Sequence, residues 1–156
     1  MERNDIVAYL RGGPDLVGHA CRGLTDDQLR QRPTSGEWSL IELLCHLRDS
    51  AIEEGMRTRR MVEEDNPTLE PYDEQTRALE RNYMAEDPAK AATALRGYLT
   101  GYAYQLERFS EAEWERPGFH PESGPVTVRS RAELEVEHIA AHIEQMKATR
   151  EAIVGP

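Results

Sequence analysis

Cysteine is scarce in this 156-residue chain: only Cys21 and Cys45 occur. Both fall inside apolar helical patterns, so they read as small core residues of a reducing compartment rather than as a disulfide. Lysine is scarcer than its partner arginine, with Lys90 and Lys147 alone among 19 basic residues, a compositional bias without functional meaning. No apolar run approaches the roughly 20 residues that cross a bilayer. The opening Met1-Glu2-Arg3-Asn4-Asp5 lacks the basic-then-apolar order of a secretion signal, so the expectation is a cytoplasmic protein with no membrane partner. Basic blocks are missing as well. Twenty-nine Asp and Glu leave a net charge of −10, which argues against nucleic acid, because a polyanion needs a positive patch to dock on.

Helical periodicity is what the chain has in abundance. A chain of this length buries roughly 70% of its unfolded surface and folds without a disulfide or a structural metal, so a single domain over residues 1–156 is expected. A first helix is read from about Asn4 to Arg22, with Ile6, Leu10, Leu16, Val17 and Ala20 on its apolar side. Gly12-Gly13-Pro14 should kink or interrupt it. A short turn at Thr25–Gln28 precedes the loop Pro33–Gly36. The second long helix starts at the Ser39/Glu42 capping box and runs to about Asp65, where Asn66-Pro67 ends it. A short helix is expected around Glu74–Tyr83, and Asp87-Pro88 opens a third long helix to about Phe109. After a single turn at Ser110–Glu113, a long loop holds a brief extended piece at Val126–Val128. Ser130 and Glu133 then cap a last helix reaching about Ile153. The fold expected is all-α: an antiparallel four-helix bundle with short extra helices in its connections.

The chemistry centres on histidine. His138 and His142 are four apart on the last helix, stacked on one face about 6 Å apart, a spacing that lets one ion bind both and that ordinary surface helices also show. On the second helix Glu42, His46, Asp49 and Glu53 form a polar stripe, with Leu43 and Leu47 on its flank. His46 lies at the margin of a core side expected to comprise Trp38, Ile41, Leu44, Cys45, Ile52 and Met56. His138, His142 and Gln145 likewise border Val136, Ile139, Ile143 and Met146. If the two margins face each other, three imidazoles converge.

The segment Gly36-Glu-Trp-Ser-Leu-Ile-Glu-Leu-Leu-Cys-His-Leu-Arg-Asp49, taken with the later His138-Ile-Ala-Ala-His142-Ile-Glu-Gln145-Met146, resembles the DinB-like (YfiT-like) metalloenzyme superfamily over nearly the whole chain. The resemblance implies a four-helix bundle with a long crossover and a divalent metal on three histidines, which fall here on His46, His138 and His142. Zinc or nickel is the expected ion, with iron, manganese or copper also compatible with imidazole ligands. Three imidazoles leave a coordination position open for water or a thiol. The resemblance tilts the reading toward a transferase using a low-molecular-weight thiol such as bacillithiol, mycothiol or glutathione. A metal-dependent hydrolase, and a non-catalytic, metal-stabilised stress-associated bundle, are the alternatives.

Neighbouring residues have ordinary readings beside the functional ones. Asp49, three residues after His46, is a candidate to hold a ligand imidazole or act on bound water, or is plain surface. Glu42 is explained by its capping box. Gln145 follows the family pattern but has a packing reading too. Cys45 points about 100° from His46 and does not join its site. His19 and His120 carry no ligand role by default, though His120 could reach the site if its loop folds over the open end. Tyr98, Tyr102, Tyr104 and Trp114 read as core or interface. An anionic substrate would want an arginine near the metal, for which Arg48 is the candidate. The partners expected are a small-molecule substrate or thiol, and a second copy in a homodimer.

Overall fold

The computed structural model describes all 156 residues. Four long helices carry the fold: α1 (Arg3–Cys21), α3 (Leu40–Glu63), α5 (Pro88–Arg108) and α7 (Val128–Val154). Three short ones, α2 (Asp26–Arg30), α4 (Glu74–Glu80) and α6 (Glu111–Trp114), lie in the connections. Around the bundle each long helix packs on two others, in the order α1, α5, α3, α7. The chain therefore steps diagonally from α1 to α3 and again from α5 to α7, and the intervening connections cross the bundle ends. This arrangement sets α3 beside α7, the two helices that bear the histidines.

Local chemistry fixes the helix starts. The Ser39 side chain accepts the Glu42 N–H, and the Glu42 carboxylate accepts the Ser39 N–H at 3.2 Å. Asp87 accepts the Lys90 N–H at 3.0 Å ahead of Pro88. The last helix begins earlier than Ser130/Glu133 would have it: Thr127 is its N-cap, accepting from Ser130 N–H at 3.1 Å while Ser130 Oγ accepts from Thr127 N–H at 2.9 Å. Two box geometries compete for Ser130, and the one formed leaves Val128 to start the helix fully buried. In α1 the Gly12-Gly13-Pro14 segment does not interrupt the helix. A Cβ on Gly13 would stand 3.3 Å from Leu99 Cδ1, so a side chain there would press on Leu99 of α5.

The core is a continuous apolar cluster that includes Ile6, Leu10, Leu40, Leu43, Leu47, Leu95, Leu99 and Ile139, all buried. Each such side chain contributes about 1.5–3 kcal/mol of transfer free energy. Leu16 and Met56, expected inside, are exposed. The buried face of α1 runs through Leu10, Gly13, Pro14 and Val17, and that of α3 turns in its second half to Glu54, Arg57, Thr58 and Met61. Both exceptions lie off those faces. Tyr102 and Trp114 are buried as expected, while Tyr98 and Tyr104 are exposed.

Before α7 the long loop is a hairpin rather than a loop with one extended piece. Strands β1 (Pro117–His120) and β2 (Gly124–Thr127) pair antiparallel, Pro117 opposite Thr127 and His120 opposite Gly124. Gly124, at φ +80°, supplies the left-handed residue of the turn. Phe119 ties the hairpin to the strap after α3, accepting from Leu69 N–H at 2.7 Å and donating to the Pro67 carbonyl at 2.9 Å. The hairpin thereby brings His120 into a buried position.

Candidate metal centre

His46 is carried by the second turn of α3 and is 1% exposed. It faces His138 and His142 on α7. The three rings meet edge to face, with centroids 4.9 Å (His46 to His138), 4.8 Å (His46 to His142) and 4.5 Å (His138 to His142) apart. A ligand nitrogen from each lies within 4.8 Å of the others, and the Nε2 atoms of His46 and His138 are 2.9 Å apart. The Trp38 ring packs on His46 with centroids 5.0 Å apart, closing one side.

The outward nitrogens of the α7 pair are already engaged. His142 Nδ1 donates to Gln145 Oε1 at 2.8 Å. His138 Nδ1 is 3.4 Å from Glu135 Oε2 and 3.3 Å from Ser50 Oγ, and Ser50 in turn donates to Glu135 at 2.9 Å. Those contacts fix both tautomers with the Nε2 lone pairs turned inward, the arrangement in which a carboxylate or amide behind an imidazole orients it for a metal.

Electrostatics favours neutral rings at two of the three positions. Burial, reinforced by the neighbouring histidines, pushes His46 down to about 3, and burial followed by His138 lowers His142. His138 is pulled down by burial, but the hydrogen bond and charge of Glu135 outweigh this and raise it. Burial lifts Glu135 in its turn. Neutral imidazole is the form that binds a cation, so the donor set suits a divalent ion of the zinc, nickel or iron type.

The structure gives Asp49 other work. Its carboxylate accepts a hydrogen bond from the Tyr83 hydroxyl and another from Arg48 Nε at 2.9 Å, so it does not hold an imidazole. Glu135, absent from the sequence reading, does that instead. Its i, i+3 spacing to His138 was the available signal. Arg48 is spent on Asp49 and on Glu86, 3.1 Å away. Glu42 is held by Arg32 Nε at 2.9 Å besides its cap. Glu74 at the start of α4 reaches the cluster, its Oε1 lying 3.8 Å from His46 Nε2. Cys45 is buried, and burial pushes its thiol up to about 12. Both cysteines are free. His19 is on the exposed face of α1.

Beside His138 a polar cavity of about 280 Å³ opens, walled by Glu54, Arg57, Tyr72, His120 and Arg131. His120 thus stands in the wall of the space next to the histidines. No helix is long and apolar enough to cross a membrane.

Comparison with known proteins agrees with this architecture. A protein of Geobacillus kaustophilus named "Putative metal-dependent hydrolase" is 30% identical over 115 residues, which span 74% of this chain and 65% of that protein. The structure of YfiT from Bacillus subtilis, described as "a probable metal-dependent hydrolase with an unusual four-helix bundle topology", superposes with a TM-score of 0.88 at 22% identity, covering 95% of this chain and 85% of YfiT. A mycothiol-dependent maleylpyruvate isomerase shares the fold more distantly, with a TM-score of 0.75 and 11% identity over 94% of this chain and 61% of the isomerase. The DinB superfamily profile matches residues 9–146, and the chain belongs to that superfamily.

Proposed function

We propose that the protein is a divalent-metal enzyme whose ion is held by His46, His138 and His142, and that it transfers a low-molecular-weight thiol to a small electrophile. The observation that carries this reading is the convergence of three imidazoles with the α7 pair anchored from behind, at the edge of a polar cavity. A divalent cation held there supplies charge that lowers the pKa of a thiol or a water at its open position. Glu135, Ser50 and Gln145 orient the rings, and Trp38 keeps bulk water from one side.

The acids around the site support the thiol over water. Asp49, Glu42 and Glu135 are each tied to partners, and Glu74, half exposed at the rim, lies 3.8 Å from His46 Nε2 and forms no ion pair with an arginine. A thiol with an ordinary pKa of about 8.5 needs far less help to ionise than water. Likeness to a mycothiol-dependent isomerase supports the same choice. Hydrolysis is the second reading, favoured by the names of the Geobacillus relative and of YfiT, and in it Glu74 would accept the proton of water. The test is to titrate the metal-loaded protein with bacillithiol, mycothiol and glutathione while the consumption of a fluorogenic electrophile is followed. Thiol-dependent turnover that His46→Ala abolishes is the expected result. Ester cleavage without any thiol response would transfer the assignment to hydrolysis. Neither activity, with a large fall in melting temperature on chelation, would make the metal structural.

A further inference from the structure

We propose that the polar cavity beside the histidines is a carboxylate subsite, in which Arg131 and His120 receive an anionic group of the substrate while its other end reaches the three imidazoles. The inference names the substrate class of the site described above and relies on that reading only for its use in catalysis. Its geometry stands independently.

The first observation is a buried carboxylate shared by two arginines. Arg131 donates to Glu54 through Nε at 3.0 Å and through Nη2, and Arg57 donates to the same carboxylate through Nη1 at 2.7 Å. The three side chains are only 7%, 5% and 9% exposed, in the order Arg131, Glu54, Arg57. The Glu54 carboxylate therefore serves two guanidinium groups, while the second buried carboxylate at this cavity, Glu135, is taken up by Ser50 and lies beside His138. Buried charges are costly unless paired. Arg57 spends its Nη2 on the Glu70 carbonyl at 2.6 Å, which leaves Arg131 Nη1 as a guanidinium nitrogen of this cluster with no protein acceptor.

A second donor faces the same space. His120 Nδ1 accepts the backbone N–H groups of Glu122 at 3.2 Å and Ser123 at 3.4 Å, so the ring proton resides on Nε2 and is available for donation. Burial first, and then Arg131 and Arg57, lower the pKa of this ring, which keeps it a neutral donor beside the cations. Arg131 sits seven residues before His138 on α7, two turns or about 10 Å along the axis, on the face that meets the cavity. A ligand anchored at Arg131 thus extends along α7 toward the histidines. The acids Glu74 and Glu122 also border the cavity but are exposed, where water and salt weaken their field, and the buried Glu135 there is bound by Ser50 and lies beside His138. A fork of N–H donors is the usual partner of a carboxylate. The volume of about 280 Å³ suits a small molecule.

The experiment uses metal-free protein, so that it fails or succeeds apart from the metal reading. Butyrate, its neutral isostere butyramide, and inorganic phosphate are titrated while the arginine Nε–H and histidine ring signals are followed by NMR. Butyrate is expected to saturate, with shifts at Arg131 and His120, and butyramide to produce none. Arg131→Met and His120→Phe should each weaken butyrate by about tenfold or more, the range for a hydrogen bond to a charged group. His120→Phe leaves the Glu54 cluster intact and keeps the test decisive if Arg131→Met unfolds. Equal binding of butyramide, tighter binding of phosphate than of butyrate, or indifference to the His120 change would overturn the proposal. Failure here would leave the metal enzyme to be judged by the thiol titration alone.

Discussion

Replacing Glu54 by glutamine should be among the most damaging single changes in the protein although it preserves size and shape. Glu54 is 5% exposed and is the carboxylate shared by Arg57 and Arg131, themselves 9% and 7% exposed. The substitution removes the one negative charge that both guanidinium groups face and leaves them repelling each other in a low-dielectric pocket. Removing one member of a buried ion pair costs about 3–5 kcal/mol, a large part of the roughly 5–15 kcal/mol that holds a domain together. For a chain of this length that corresponds to a fall in melting temperature of roughly 10 °C. Arg131→Met should be milder, about 1–2 kcal/mol, since Glu54 keeps Arg57 as its partner. Urea unfolding of the metal-free proteins measures both. A loss below about 1 kcal/mol for Glu54→Gln would mean that water already solvates the cluster, and an equal loss for Arg131→Met would mean that Glu54 does not depend on Arg57; either result refutes the reasoning.

Acid should destabilise the metal-free protein through the buried histidine. The folded-state pKa of His46 is about 3, against an ordinary 6.5. Between those values the unfolded chain binds a proton that the folded one refuses, so stability is full above about 6.5 and falls as pH drops toward 3, by up to about 1.4 kcal/mol per pH unit. Stability curves of the wild type and His46→Gln should converge at low pH, and parallel curves would contradict the assignment. Glu135→Gln and Gln145→Leu should each lower metal affinity by about 10–100-fold in chelator competition while leaving the ion count at saturation unchanged. Affinities equal to wild type would mean that these contacts do not orient His138 and His142.

Much of the fold was legible because its signals are local. The Ser39/Glu42 box, Asp87-Pro88 and the helical spacing of apolar residues place α3 and α5 to within a residue or two. The hairpin was hidden because only four residues a side are involved and Pro117, Gly118, Gly124 and Pro125 have loop composition. The α7 start was misplaced because Ser130 can serve either as cap or as the N3 partner of Thr127, a choice made by burial of Val128. At the site, the i, i+4 pair and the His46 margin are periodic features, so they could be read. Asp49, Arg48, Glu135 and Arg131 could not be sorted, since which carboxylate meets which cation depends on how α3, α7 and the segment between α4 and α5 that bears Tyr83 pack. His120 depended on the hairpin, and so escaped with it.

The central claim is that the three imidazoles hold one divalent ion. It is tested most directly by the metal content of untagged protein equilibrated with zinc or nickel and then desalted, with circular dichroism reporting the fold. One ion per chain in the wild type, and almost none in His46→Ala, His138→Ala or His142→Ala at unchanged helical signal, is the expected result. Undiminished metal in the three folded variants, or no metal in the wild type, would contradict it.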